Sequence, residues 1–342
     1  MDRRVTLKDI ADEAGVSVMT VSNSLNGKRA RVSESTIERI EAIARARGYI
    51  ANASARTLAA KASKLIGLLV LTDTDENLSL SPYNLQVFSV IEHELRTRGY
   101  HVLFRGVSTV HEVDVALRSW DLDGAIVLGF PDRMVTQIEP PEATPIVALD
   151  SYAAHSLAIP VRSDDHDGGR LAAEHLLANG HRRILFAGPE YEASGVVRER
   201  FDGFIDAFEA ASSAWDPRDR SSEEATFEAG VALGRRLGDR HPDVTAVFAT
   251  ADVLAIGVME GAHSRGVTVP TQLSIVGFDN LDAASWVTPK LTSIDQDVPG
   301  KAIDAARTLL RAIDDDAGPA ETSHHRVRLV RRGSVAAPRA AR

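Results

Sequence analysis

Two sets of side chains in this sequence could do chemistry. The first lies near the N-terminus, where Thr6, Ser17, Thr20, Ser22, Asn23 and Asn26 precede Arg29 and Arg31. Hydroxyls and amides hydrogen-bond to phosphate oxygens and base edges, and arginines bind phosphates. The second set follows short apolar runs further along. Asp73 comes after 65–71 and Tyr83 opens the next helical pattern. Asp150 comes after 146–149, Arg198 and Arg200 after 184–188, Asp252 after 246–249 and Asp279 after 274–278, while Asp164 and Asp165 sit at a proposed crossing of the chain. Carboxylates accept from hydroxyls and arginine donates through a planar fork, so this set suits a sugar or nucleoside.

Catalytic and metal chemistry find no such pattern. There is no cysteine, hence no thiolate and no zinc-finger set. No nucleophile elbow, phosphate-binding P-loop or dinucleotide fingerprint occurs. His324 and His325 are adjacent, so on a strand they point to opposite faces and cannot chelate together. The reading is a non-enzyme without a cofactor.

The elements that must hold the first set are two short helices and a tight turn. Thr6 with Asp9 forms a capping-box-like start, and Leu7, Ile10, Ala11 and Ala14 share one face. Gly15 suits the left-handed residue after a helix, and Ser17 caps a second helix over 18–25. Val21 and Leu25 face inward there, leaving Val18, Met19, Thr20, Ser22 and Asn23 outward. A third helix opens at 32–36 and buries Ile37, Ile40, Ile43 and Ala44. This is a helix-turn-helix, whose second helix enters the major groove of duplex DNA. An ordinary helical hairpin would give a similar spacing. Thr6 and Ser17 serve as caps and, compatibly, as phosphate ligands. Arg29 and Arg31 are phosphate ligands or a solvated pair.

From residue 64 the pattern changes to short, near-continuous apolar strands alternating with amphipathic helices. Helices are expected near 82–98 (Leu85, Phe88, Ile91 and Leu95 inward), 167–179, 196–211, 227–237 and 252–265. Such alternation means parallel sheets covered on both faces, and 342 residues exceed what one core usually supports. In such sheets ligands bind beyond the carboxyl ends of the strands, where the second set falls. Asp252 and Asp167 read as helix caps.

Charge separates the two regions. The whole chain carries −9. Residues 1–63 hold eleven basic and seven acidic residues, a net +4, and the remainder 28 and 41, a net −13. A basic head on an acidic body fits a nucleic-acid reader joined to a part that does not bind DNA. No apolar run approaches the roughly 20 residues of a membrane helix and no signal core opens the chain. The expected location is the cytoplasm, near the nucleoid, with no membrane partner.

Three strings, VTLKDIADEAGVSVMTVSNSLNG, RVSESTIERIEAIARARGYIANASARTLA and KLIGLLV, cover most of residues 5–70. Over them the sequence resembles the LacI/GalR family of bacterial transcription regulators. The resemblance implies an all-α helix-turn-helix headpiece at 1–49 and a hinge helix or linker at 50–61. It implies a core at 62–342 of two doubly wound parallel-sheet lobes, of the periplasmic-binding-protein-like type I. The chain would cross between lobes near 161–164, 291–295 and 322–325. That gives an N-lobe of about 62–162 plus 294–322 and a C-lobe of about 163–292 plus 323–340.

The resemblance also implies roles. Ser17, Val18, Met19, Thr20, Ser22 and Asn23 would meet bases and phosphates of a double-stranded operator, and Thr6 and Asn26 its backbone. Val18 and Met19 cannot hydrogen-bond a base but can contact thymine methyls. Residues 53–60, about two turns or roughly 12 Å of helix, are marginal alone and would order in the minor groove against a second subunit. Leu58 would be a wedge between base pairs and Ala55 a close-contact residue. Asp73, Tyr83, Asp150, Asp164, Arg200 and Asp279 would contact a small-molecule effector between the lobes. Ala251 and Ala225 replace an asparagine and a stacking aromatic found in many sugar-binding members, which leaves the effector open. The expected protein is a homodimeric, ligand-responsive repressor. No heptad run after residue 330 suggests a tetramerisation tail. A transport binding protein would share the core but lack residues 1–60.

Overall fold

The structure is a computed structural model. It describes residues 5–25, 32–49, 63–72, 80–141, 144–154, 156–190, 194–314 and 323–338. Asn26, Arg29, Arg31, Ala55, Leu58 and Asp73, and the proposed hinge at 50–61, lie outside these. The chain divides into two compact units, residues 1–64 and 65–342.

The first unit holds α1 (Leu7–Ala14), α2 (Val18–Leu25) and α3 (Glu34–Ala46). Its start is a full capping box: the Thr6 amide donates to Asp9 Oδ2 (2.8 Å) and the Asp9 amide to Thr6 Oγ1 (3.3 Å). Gly15 ends α1 at φ 65°, a conformation that costs an L side chain about 1–2 kcal/mol. Ile10, Ala11, Ala14, Val21, Ile40 and Ala44 form the core. The small Ala11 and Ala14 let the helices cross closely.

The second unit contains two six-stranded sheets. The first runs β11 (Ser323–His325), β5 (Ile159–Ser163), β4 (Ile146–Leu149), β3 (Gly124–Leu128), β1 (Leu65–Leu71) and β2 (His101–Val107), all parallel. The second runs β12 (Arg328–Val330), β10 (Thr292–Asp295), β9 (Ser274–Asp279), β8 (Ala246–Ala249), β6 (Ile184–Gly188) and β7 (Arg220–Ser222). Only β12 runs antiparallel there. Helices cover both faces of each sheet. On the first sheet, α4 (Pro82–Arg96) and α11 (Val298–Ile313) pack on one side and α5 (Val110–Ser119) on the other, with the one-turn α6 (Asp132–Val135) following β3. On the second, α7 (Asp165–Ala178) and α8 (Gly195–Ala210) lie opposite α9 (Phe227–Arg240) and α10 (Asp252–His263). Buried on both faces, the inner strands β1, β3, β4, β6 and β8 are apolar almost end to end.

Strand pairing moves the crossings by a few residues. Ile294 and Asp295 pair with β9 and so stay in the second lobe, and 323–325 pair with β5 and so belong to the first. The later two crossings are therefore at 296–297 and 326–327. Leu85, expected inward on α4, is 52% exposed; Val87 takes the buried position with Ile91 and Leu95.

One pair of glycines aligns the second lobe's chemistry. A Cβ on Gly169 would lie 1.9 Å from the Arg200 carbonyl oxygen, and one on Gly203 1.8 Å from that of His166. Only hydrogen fits, so α7 and α8 approach until Asp165 and Arg200 meet.

Candidate functional site

Between the lobes lies a cavity of about 310 Å³ at the carboxyl ends of both sheets. Tyr83 and Asp150 line it from the first lobe, and Arg200 and Asp279 from the second, with Gln296 at a crossing between them. The apolar lining includes Phe130, Val197, Ala225, Ala251, Val253 and Leu281. Tyr83, Asp150, Arg200 and Asp279 are thus brought together, although they are spread over nearly two hundred positions of sequence.

Asp164 is not. It is exposed and caps α7, accepting from the Asp167 amide at 3.0 Å. A cap must turn its carboxylate back toward its own helix, whereas the next residue, Asp165, is buried behind the cavity wall against Arg200. Asp165 is fully buried and meets Arg200 Nε at 2.8 Å and the Tyr152 hydroxyl at 2.9 Å. Burial pushes its carboxyl upward, opposed chiefly by the Arg200 charge. Arg200 also donates to the Thr250 carbonyl at 2.6 Å and lies 3.5 Å over the Phe278 ring.

Asp252 and Asp167, read as caps, are not caps. Ala251 precedes α10, and Asp252 braces the β9 turn: its oxygens accept from the Leu281 amide (2.8 Å) and the Ser293 hydroxyl (2.6 Å). Asp167 is inside α7 and pairs with Arg170. The brace holds Asp279 and Asn280 at φ 114° and 55°, conformations kept only where surroundings enforce them. Asp279 accepts from the Gln296 amide. Burial raises its carboxyl to about 6 against opposing pulls from Arg200, Lys301 and Gln296. On the opposite wall the Tyr83 hydroxyl donates to Asp150, and burial followed by the Asp150 charge holds that phenol well above its ordinary value.

Sequence reading named Asp165 beside Asp164 but assigned the effector contact to Asp164, and it missed Tyr152, Gln296 and Lys301. Gln296 follows β10, and the stretch Leu291-Thr292-Ser293-Ile294 is half polar, so no apolar run marked it. Tyr152 and Lys301 are reached only through tertiary packing.

The headpiece presents a different surface. Val18 and Met19 are 44% and 70% exposed on α2, and Thr20, Ser22 and Asn23 are half-buried beside them. Thr6 is exposed in its capping box. Ser17 accepts from the Thr20 amide at 3.1 Å and lies 2.9 Å from its hydroxyl. Eight residues of α2 span about 12 Å, close to the major-groove width. Among the described residues no group of three or more His, Cys, Asp or Glu could hold a metal. No helix among them is long and apolar enough to cross a membrane. His324 and His325 take separate partners, Arg162 and Asp304.

Comparison with known proteins matches residues 6–52 to the bacterial regulatory proteins of the lacI family and 173–335 to a periplasmic binding protein-like domain. The HTH-type transcriptional regulator CelR of Thermobifida fusca is 32% identical over 322 residues, 91% of this chain and 92% of CelR. A solved Lac repressor dimer, bound to operator and the anti-inducer ONPF, superposes with a TM-score of 0.85 at 26% identity, covering 98% of this chain and all of that one. A CelR–cellobiose complex superposes at 0.73, also at 26% identity, covering 97% and 100%.

Proposed function

The chain belongs to the LacI family of bacterial regulatory proteins, and within it we propose that effector binding between the lobes sets how tightly α2 holds an operator. The protein is a ligand-responsive, sequence-specific DNA-binding transcription repressor. The observation that carries the reading is the joining, in one chain, of an exposed Val18–Asn23 face to a cleft where Tyr83 and Asp150 oppose Arg200 and Asp279.

Thr6, Ser17, Ser22, Asn26, Arg29 and Arg31 position the headpiece on phosphates. Val18, Met19, Thr20 and Asn23 meet base edges. Leu58, with Ala55 against its copy, wedges the minor groove. The protein works as a homodimer on a palindrome, because one headpiece covers too little duplex for nanomolar affinity. It acts in the cytoplasm, where its DNA is, and catalyses no reaction.

Asp73, Tyr83, Asp150, Arg200 and Asp279 hold the effector. Arg200 is already engaged by Asp165 and Thr250, and Lys301 by Asp150. Arg200 keeps two of its five N–H donors for a ligand oxygen, and with Asp150 and Asp279 on the lining the effector is a hydroxyl-rich, sugar-like molecule. Closure of the lobes turns them about the crossings and changes the fit of the two hinge segments. Such coupling is typically 1–3 kcal/mol, or about 5–150-fold in affinity.

A gel shift on the gene's own upstream DNA, at two salt concentrations, with cellobiose and a panel of mono- and disaccharides and nucleosides, tests this. We expect salt-dependent binding to a palindrome and a change in affinity with one compound of the panel. Binding without sequence preference, or no response to any of the panel, would overturn the reading.

A further inference from the structure

Lys301, in the first turns of α11, has no exposed surface. An ammonium offers three N–H donors, and all three are used: Asp150 Oδ1 at 2.6 Å, Gln296 Oε1 at 2.6 Å and Ser163 Oγ at 3.1 Å. These acceptors come from three separated places. Asp150 is on the cleft wall after β4. Ser163 ends β5, where the chain first leaves the first lobe. Gln296 follows β10, where it returns. Asp150 also takes the Tyr83 hydroxyl, and Gln296 passes its amide N–H to Asp279 across the cleft. Tyr83, Asp150, Lys301, Gln296 and Asp279 therefore form one hydrogen-bonded chain from one lobe to the other. Lys301 is its only member that does not line the cavity.

On α11 its neighbours Val298, Ala302 and Ala305 are buried in the apolar core. An aliphatic residue would fill such a position without the several kcal/mol that burying an ammonium costs before pairing. Stability alone does not account for the lysine.

We propose that Lys301 is a positioning residue for the effector response: it pins the ligand-facing carboxylate Asp150 to two of the three inter-lobe crossings. A ligand hydroxyl that engages Asp150 or Asp279 then redistributes hydrogen bonds at Lys301 and shifts both crossings together. This rests on the reading of the cleft as the effector site.

The test is hydrogen–deuterium exchange on the full chain, comparing wild type with Lys301→Met and with Lys301→Met combined with Asp150→Asn. In Lys301→Met we expect amides at both 161–165 and 294–298 to exchange at least tenfold faster, with 227–263 unchanged. Adding Asp150→Asn removes the unpaired carboxylate, and we expect it to recover more than half of the lost melting temperature without restoring slow exchange. If Lys301→Met does not accumulate as folded protein, Lys301→Gln is read in the same way. Unchanged exchange at the crossings, or a change confined to 298–313, would overturn the pin and reduce Lys301 to local packing. The cleft reading is scored separately, by melting of wild type with cellobiose and the sugar and nucleoside panel. No shift with any compound removes the effector site, whatever the exchange shows.

Discussion

The two functional regions of this molecule solve recognition in opposite ways. The outward face of α2 takes its residues from one run, 18–23, leaves two of them more than 40% exposed and rests on six buried apolar side chains. The cleft takes its polar residues from 83, 150, 200, 279 and 296, backs them with the buried Asp165 and Lys301, and pairs them with one another before any ligand arrives. A surface that reads a duplex meets its partner by docking, so its groups stay accessible and cost little to hold. A pocket for a small polar molecule has to exclude water, so its charges need partners already in place. Substitutions should therefore cost stability in the cleft and specificity on α2.

The largest contrast is expected at Arg200→Ala. It leaves Asp165 fully buried with only the Tyr152 hydroxyl and removes the donor to the Thr250 carbonyl. Removing one partner of a buried pair costs about 3–5 kcal/mol. Arg200 holds the Asp165 carboxyl down against burial, so without it the native-state carboxyl rises further. The native variant then binds a proton that the unfolded chain releases above about 3.9. Its stability should fall as pH rises, and the loss should be greater at pH 8 than at pH 5. Calorimetry at the two pH values measures this. The headpiece, a separate compact unit, should melt unchanged, and a parallel fall in both transitions would break the contrast.

The same contrast explains what could be read from the sequence. Local rules suffice for the headpiece: the capping box, Gly15 and the Ile10–Ala14–Val21 spacing each act within a few residues, and each appears as read. The alternation of apolar strands and helices likewise exposed both sheets, because burial on two faces leaves uninterrupted runs. The cleft was legible wherever a residue follows an apolar run, as Asp150 and Asp279 do. It failed at Asp164, where of two adjacent aspartates one caps α7 and the other is buried against Arg200, and only the packing of α7 on α8 decides between them. Lys301 was invisible because nothing near it in sequence marks it as buried; its partners are 138 and 151 residues away, apart from Gln296. The crossings shifted for a similar reason: short strands such as 323–325 are assigned by their partners, not by their composition.

Next in size is the pH response of the cleft. Burial raises Asp279 from its ordinary 3.8 to about 6. Between those values the native state holds a proton that the unfolded chain has released, so this group makes the protein more stable as pH falls from 6 toward 4. Effector binding should run the other way. A ligand hydroxyl donates to the ionised carboxylate, so affinity should fall by up to tenfold per pH unit below 6 and level off above it. Asp252, held well above its usual value by burial and then by the Asp279 charge, adds to the effect from the same side. Titration calorimetry of the compound identified in the panel, from pH 5 to 8, measures the slope. Asp279→Asn should flatten it and leave the core at least as stable at pH 7.

The smallest effect on stability, and the sharpest on specificity, is expected at Met19. Its side chain is 70% exposed and belongs to no core cluster, so Met19→Ala should change headpiece stability by less than about 0.5 kcal/mol. A thioether in the major groove contributes apolar contact, chiefly with a thymine methyl. Losing it should weaken the preferred operator by roughly 1–3 kcal/mol per contacted base pair and leave binding to random duplex nearly unchanged, because that binding is set by phosphates. Selection of bound sequences from a randomised duplex pool, for wild type and variant, separates the outcomes. A loss of preference confined to one position in each half-site is expected. An equal loss on specific and random DNA would place Met19 on the backbone instead and would take α2 out of the contrast with the cleft.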